Sequence, residues 1–209
     1  MARKINNRPS KFQVAIVGEG ETEWFYFSNM RQVERFSFKV APDLPKHSDY
    51  KSIIKTARKK RDEGYDVVFC VLDLDRIITN HTEKNGYLAE KAKTKANKGI
   101  EFIETMPCIE LWFLLHFLEN YSSKVYLDYN QVSIPLKRHI PNYEKTANFL
   151  KSINLYEYLS DKGDFNLANE FATRLVEEKN DSDNPLFNYT QIHSLITRLK
   201  EKLAHIPNK

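Results

Sequence analysis

DVVFCVLDLD, residues 66–75, is the stretch that decides the fold. Six consecutive apolar residues, Val67 to Leu72, run without polar alternation into two aspartates separated by one leucine. Continuous rather than alternating hydrophobicity is the mark of a parallel strand covered on both faces. Upstream, FQVAIVG (12–18) is a second apolar run ended by glycine. The polar GEGETEW then leads into the helically periodic WFYFSNMRQV, giving strand, glycine-rich turn and helix. FSFKVAP (36–42) reads as another strand closed by Pro42 and Pro45, and Ser48 or Asp49 is placed to cap a helix carrying Ile53, Ile54 and Ala57. Downstream, residues 83–98 read as a polar helix and GIEFIETM (99–106) as a fourth strand. Pro107 is placed as the first residue of an apolar helix, PCIELWFLLHFL.

Strand and helix thus alternate four times over residues 10–120. The expectation is a doubly wound, Rossmann-like α/β domain: a mostly parallel four-stranded sheet with helices on both faces and functional groups at the carboxyl ends of its strands. From residue 121 to 209 the pattern changes to a helical region, with helices expected over 143–150, 154–159, 164–179 and 189–203 around a turn at Asn184-Pro185.

Composition excludes several classes. The 209 residues are 41% hydrophobic, 12% aromatic and 29% charged, unlike a disordered, collagen-like or disulfide-scaffold chain. No apolar run is long enough for a membrane helix, and the opening MARKINNRPSKF lacks the apolar core of a signal peptide. Cys70 and Cys108 lie within apolar runs and read as reduced buried thiols, which favours the cytoplasm. The net charge of +4 is unevenly spread: residues 1–61 hold 14 Lys and Arg against 6 Asp and Glu. A basic first third attracts phosphates, although its densest run, KTARKKR (55–61), equally reads as a solvated helix face.

Three places put carboxylates at the expected functional edge. Glu19 follows the first strand, with Glu21 and Glu23 behind it; Gly18 and Gly20 permit a tight turn, and Thr22 is placed to help cap the helix. Asp73 and Asp75 end the third strand as an alternating pair that would share one side in extended geometry. Two hard oxygen ligands at this spacing suit Mg²⁺ or Mn²⁺. Glu110 lies in the first turn of a helix among Ile109, Leu111 and Trp112, an apolar setting for a carboxylate. Taken singly, Glu21 and Glu23 serve equally well as complements to a helix dipole. Together, the acidic sites converge on one rim, where carboxylates repel unless a cation joins them. His116 reads as a hydrogen-bonded core histidine, and His81 and His193 show no zinc-ligand spacing.

The order Gly-Glu-Gly-x-Thr-Glu followed by a strand ending Asp-x-Asp is similar to the Toprim domain of primases, topoisomerases and small nucleases. MPCIELWFLLHF (106–117) resembles the signature of the RloB-like family, and LKRHIPNYEKT (136–146), LANEFATRL (167–175) and NPLFNYTQIHSLITRL (184–199) resemble that family's C-terminal half. Met106 stands where the family tends to have Asn, and Ile109 where it tends to have an aromatic residue. The resemblance implies a metal-dependent nuclease of a restriction or phage-defence locus, working with an ATPase encoded beside it. It makes Glu19 a metal ligand or general base, Asp73 and Asp75 metal ligands, and Glu110 the acidic position of the helix motif. The cofactor would be Mg²⁺ or Mn²⁺, polarising a phosphodiester and activating water. Arg76, Lys137, Arg138 and Lys145 are the candidate nucleic-acid contacts, Arg76 equally placed to pair with Asp75. A homodimer is compatible with the tyrosine-rich C-terminal half.

Two other readings compete. One is a non-catalytic adaptor or sensor that binds nucleic acid or the ATPase. The other is a phosphatase or phosphotransferase using Asp-x-Asp with Mg²⁺, although the haloacid-dehalogenase type places that motif after its first strand. No P-loop is present, so ATP hydrolysis would belong to a partner.

Overall fold

The structure is a computed structural model that describes residues 12–204 apart from Phe38, Pro45, Lys46, Ala96 and Asn97. The polar arm before Phe12, the expected role of Pro45 and the end of the helix expected over 83–98 lie outside the described residues. The first half follows the anticipated alternation. Strand β1 (Gln13–Val17) leads to α1 (Glu21–Glu34), β2 (Lys39–Asp43), α2 (Tyr50–Asp62), β3 (Val67–Asp73), α3 (Asp75–Thr79), α4 (His81–Lys95) and β4 (Ile100–Met106). Strands β1 to β4 are parallel in the order β2-β1-β3-β4. Val68 to Asp73 of the central β3 are all buried, as its unbroken hydrophobicity requires. Pro42 sits in β2, an edge strand, where a missing N–H is tolerated.

The chain moves one way from β1 to β2 and the other way from β2 to β3, so right-handed crossovers put α1 and α2 on opposite faces. Consistent with this, α2 packs beside α4, with Arg58 Nη2 2.9 Å from Glu90 and 2.7 Å from Thr94 Oγ1. On the other face α1 packs against α8 (Leu155–Lys162), and Lys200 of α10 (Ile192–Ala204) pairs with Glu34 at 2.9 Å. The remaining elements are α5 (Glu110–Leu115), α6 (Tyr129–His139), α7 (Ala147–Ser152), α9 (Phe165–Asn180) and β5 (Tyr189–Thr190).

Several local expectations are corrected. The sheet has five strands, because β5 adds antiparallel to β4 within the segment expected to be the last helix. That two-residue strand is held by side chains rather than length: Gln191 accepts from the Glu104 N–H at 2.9 Å, and the Thr105 and Thr190 hydroxyls lie 3.0 Å apart. Glu104 itself takes bonds from the hydroxyls of Tyr87 and Tyr189 and pairs with Lys91. β3 ends at Asp73, and Leu74 already has helical φ and ψ, so Asp75 opens α3 instead of prolonging the strand. α5 begins at Glu110, three residues after Pro107. α6 is not among the expected helices, and it carries Pro135, a helix-breaking residue, in its interior. Asp128 caps this helix by accepting from Gln131 N–H at 3.0 Å, and Val132 and Leu136 bury one face, so the helix persists through the proline. The helix expected from Tyr143 begins only at Ala147, capped by Thr146.

Candidate metal centre

The strand order reverses between β1 and β3, and in open α/β sheets the crevice beyond the carboxyl ends at such a reversal is the usual binding site. Glu19 and Asp73 occupy it. Gly18 is required there because a Cβ would lie 2.5 Å from that of Glu23. Thr22 is buried inside α1 and does not cap it; instead the Glu23 carboxylate accepts from Gly20 N–H at 2.8 Å. One Glu19 oxygen accepts from Asp73 N–H at 3.2 Å, which ties the β1 turn to the end of β3.

Asp73 then links to the third acidic segment. Its Oδ1 accepts from Ile109 N–H at 2.9 Å, just before α5, while Oδ2 lies 3.9 Å from Lys145 Nζ. Glu110 is fully buried: Oε1 accepts from the Tyr143 hydroxyl at 2.7 Å, and Oε2 lies 2.9 Å from Lys145 Nζ. Lys145 Nζ also sits 4.6 Å from the centre of the Tyr129 ring. The resulting cleft, about 330 Å³, is lined by Glu19, Glu23, Asp73, Asp75, Arg76 and Lys145 among others. It opens beside Arg76 and Ser48 into a second lobe of about 190 Å³ floored by Tyr50 and Ile77.

Electrostatics follow from burial and crowding. Burial, then Glu23, pushes Glu19 up to about 7. Burial and the neighbouring carboxylates raise Asp73 well above its ordinary value, and Glu23 and Asp75 are raised by burial as well. Burial acts to lower Lys145, but Glu110 and Asp73 outweigh it and hold the ammonium charged. Lys145 and Arg76 therefore face six carboxylates, Glu19, Glu21, Glu23, Asp73, Asp75 and Glu110.

The donor set fits a divalent cation. Asp73, Cys108 and Glu110 offer one ligand atom each within 4.8 Å of one another. Glu110 Oε2 is buried, with the Lys145 ammonium at 2.9 Å and the Cys108 thiol against the same carboxyl. Carboxylate oxygens suit Mg²⁺ or Mn²⁺, whereas the Cys108 thiol, pushed well up by burial and the adjoining carboxylates, stays protonated.

Of the residues singled out from sequence, the fold brings together Glu19, Asp73, Asp75, Glu110, Arg76 and Lys145. Asp75 reaches the cleft from the first turn of α3 and not from a strand. Lys137 and Arg138 lie exposed in the last turn of α6, where Lys137 lines a separate depression with Asn142 and Glu144. His116 is buried with Nδ1 2.9 Å from Trp112 O, as a core histidine. Sequence reasoning missed the burial of Glu23, the contribution of Cys108 and the hydroxyl of Tyr143. The available signals were Glu23 one helical turn from Glu19 and Cys108 two residues from Glu110.

Fold and site define the class: a doubly wound α/β protein with a buried acidic centre, suited to a divalent cation, at the switch point of a parallel sheet. The chain belongs to the family of RloB-like proteins, whose model matches residues 14–199. No curated protein and no solved structure matches it. No helix among the described residues is long and apolar enough to cross a membrane.

Proposed function

We propose that the chain is a metal-dependent, Toprim-type nuclease that hydrolyses phosphodiester bonds of DNA or RNA. The observation that carries this reading is the imbalance at the switch point, where six carboxylates, one of them the fully buried Glu110, meet only Lys145 and Arg76. A bound Mg²⁺ or Mn²⁺ would supply Lewis-acid polarisation of the phosphate. Glu19, Asp73, Asp75 and Glu110 are the residues to hold it. Glu19, pushed up to about 7, is poised to take or give a proton near neutrality. Lys145 and the exposed Arg76, at the cleft wall, oppose charge developing on the phosphoryl oxygens. Tyr143 positions Glu110. Membership of the RloB-like family supports a cytoplasmic role in phage defence with an ATPase partner, and a homodimer belongs to the same reading.

The test is cleavage of plasmid DNA and total RNA by the purified protein with Mg²⁺, Mn²⁺ or chelator, beside Asp73→Ala. Metal-dependent cutting by the wild type and none by the variant is the expected result. Undiminished cutting by Asp73→Ala rejects the assignment. Absence of cutting even with the ATPase present, together with chelator-insensitive nucleic-acid binding, turns the reading to an adaptor.

A further inference from the structure

On α2, Lys51, Lys55 and Lys59 are exposed and four residues apart, so they form one row with steps of about 6 Å along the helix. Like charges at this spacing destabilise a helix, and the nearby acids do not relieve them. Glu90 is held by Arg58 and Lys93, Asp43 by Lys60, and Asp49 caps α2 through Ser52. Among the described residues no carboxylate lies within 4 Å of Lys51 or Lys55, and Lys59 has only Glu63 at 3.8 Å, with 74% of its own side chain exposed.

The row has a definite origin and direction. Asp49 and Tyr50, at the start of α2, line the second lobe of the acidic cleft together with Glu83 of α4. The two helices run side by side in the same sense, Tyr50 against Tyr87 and Arg58 against Glu90 and Thr94. The lysines therefore start at the rim of the centre and lead away from it. The step between lysines is close to that between successive phosphates of an extended strand. A membrane surface is disfavoured, because the apolar residues of α2, Ile53, Ile54 and Ala57, are all in the core and leave nothing to insert into lipid.

We propose that the outer face of α2 is the track on which the phosphate backbone of a single-stranded nucleic acid lies as it leaves the acidic cleft. The inference rests on the nuclease reading for its substrate class, but binding tests it apart from cleavage. A fluorescein-labelled 20-nucleotide single strand is titrated in chelator, at several KCl concentrations, with wild type, K51Q/K55Q/K59Q and a charge-matched control, K124Q/K151Q/K162Q. Each lost phosphate contact lowers the slope of log K against log salt by about 0.7. The α2 variant is expected to lose about 2 units of slope and to bind roughly tenfold or more weakly at 100 mM KCl. The control keeps the wild-type slope. Thermal melts check that both variants fold.

Equal slopes for the α2 variant and wild type overturn the track, as does wild type that does not bind the strand or prefers phosphatidylglycerol vesicles to it. Wild type that cuts nothing even with the ATPase present, yet shows the α2-dependent slope, keeps the track and removes the nuclease. Wild type that cuts while the slope is unchanged in the α2 variant does the reverse.

Discussion

Replacing Lys145 by Met should leave a buried charge without its counter-ion. Glu110 has no exposed side-chain surface, and besides Lys145 it is met by the Tyr143 hydroxyl at 2.7 Å and the neutral Cys108 thiol, neither of which supplies a counter-charge. Breaking one side of a fully buried ion pair costs about 3–5 kcal/mol. Lys145 keeps 34% of its side chain in solvent, so water already screens part of the pair, and a loss of about 2 kcal/mol is the better figure. For a chain of 209 residues that corresponds to a fall in Tm of roughly 4–8 °C. The assay is urea denaturation in chelator at pH 7.5 of wild type, Lys145→Met, Glu110→Gln and the double variant. Neutralising Glu110 removes the orphaned charge, so the double variant should recover about 1–2 kcal/mol relative to the sum of the single losses. Additive losses, or a Lys145→Met protein as stable as wild type, would refute the view that this lysine neutralises the centre.

Tyr143→Phe deletes one buried hydrogen bond to Glu110 and should cost about 1.5–3 kcal/mol by the same urea assay. Gly18→Ala would force a Cβ to within 2.5 Å of that of Glu23, and an overpacked turn of this kind should lose about 1–3 kcal/mol in thermal melts and disturb the Glu19 carboxylate with it. In chelator, stability should depend on pH through two opposed groups. Glu19, raised from 4.5 to about 7, contributes stability that is complete below pH 4.5 and lost as pH rises through 7, with Asp73 acting in the same sense. His116, lowered by burial from 6.5 to about 4, contributes stability present above pH 6.5 and lost as pH falls through 4. Glu19→Gln should flatten the upper limb of a urea-midpoint profile and His116→Gln the lower limb; unchanged limbs contradict the assignments. Since a cation displaces protons from raised carboxyls, the rise in Tm produced by Mn²⁺ should grow from pH 5 to 8, and Asp73→Asn should abolish it.

The first half of the fold was legible because its signals are strong and local: unbroken apolar runs at β1 and β3, glycines at the turn after β1, and Asp49 at the start of α2. Glu19 and Asp73 were legible for a related reason, since each follows or ends such a run, and Glu110 because a carboxylate stands out among Ile109, Leu111 and Trp112. What escaped depended on distant chain. β5 has two residues and exists through Gln191, Thr190 and the Glu104 cluster, none of which has a periodic signature. α6 carries a proline whose breaking signal is overridden by the Asp128 cap and by the burial of Val132 and Leu136. Lys145 reads as one member of a basic loop until its ammonium is found between Glu110 and Asp73.

That last contact shows how the centre is assembled. The acids come from the α/β portion of the chain, at the ends of β1 and β3 and the start of α5. They are held in register by Asp73, which donates its N–H to Glu19 and accepts from Ile109. A sheet edge of this kind would leave Glu110 buried without compensation, an arrangement that costs several kcal/mol. The loop between α6 and α7 supplies what is missing, with the Tyr143 hydroxyl on one oxygen and the Lys145 ammonium on the other. Tyr143 is itself buried and packs edge-on against Phe113 of α5 and Phe149 of α7. The position of the cation is thus set by the core packing of the helical region. Its charge stabilises the acidic centre at a point where a divalent ion would compete for the same two carboxylates, Asp73 and Glu110. Under the proposed metal-dependent reading, an ion would have to outperform the lysine to bind, and the seating of α6 and α7 would then help to set metal affinity as well as fold.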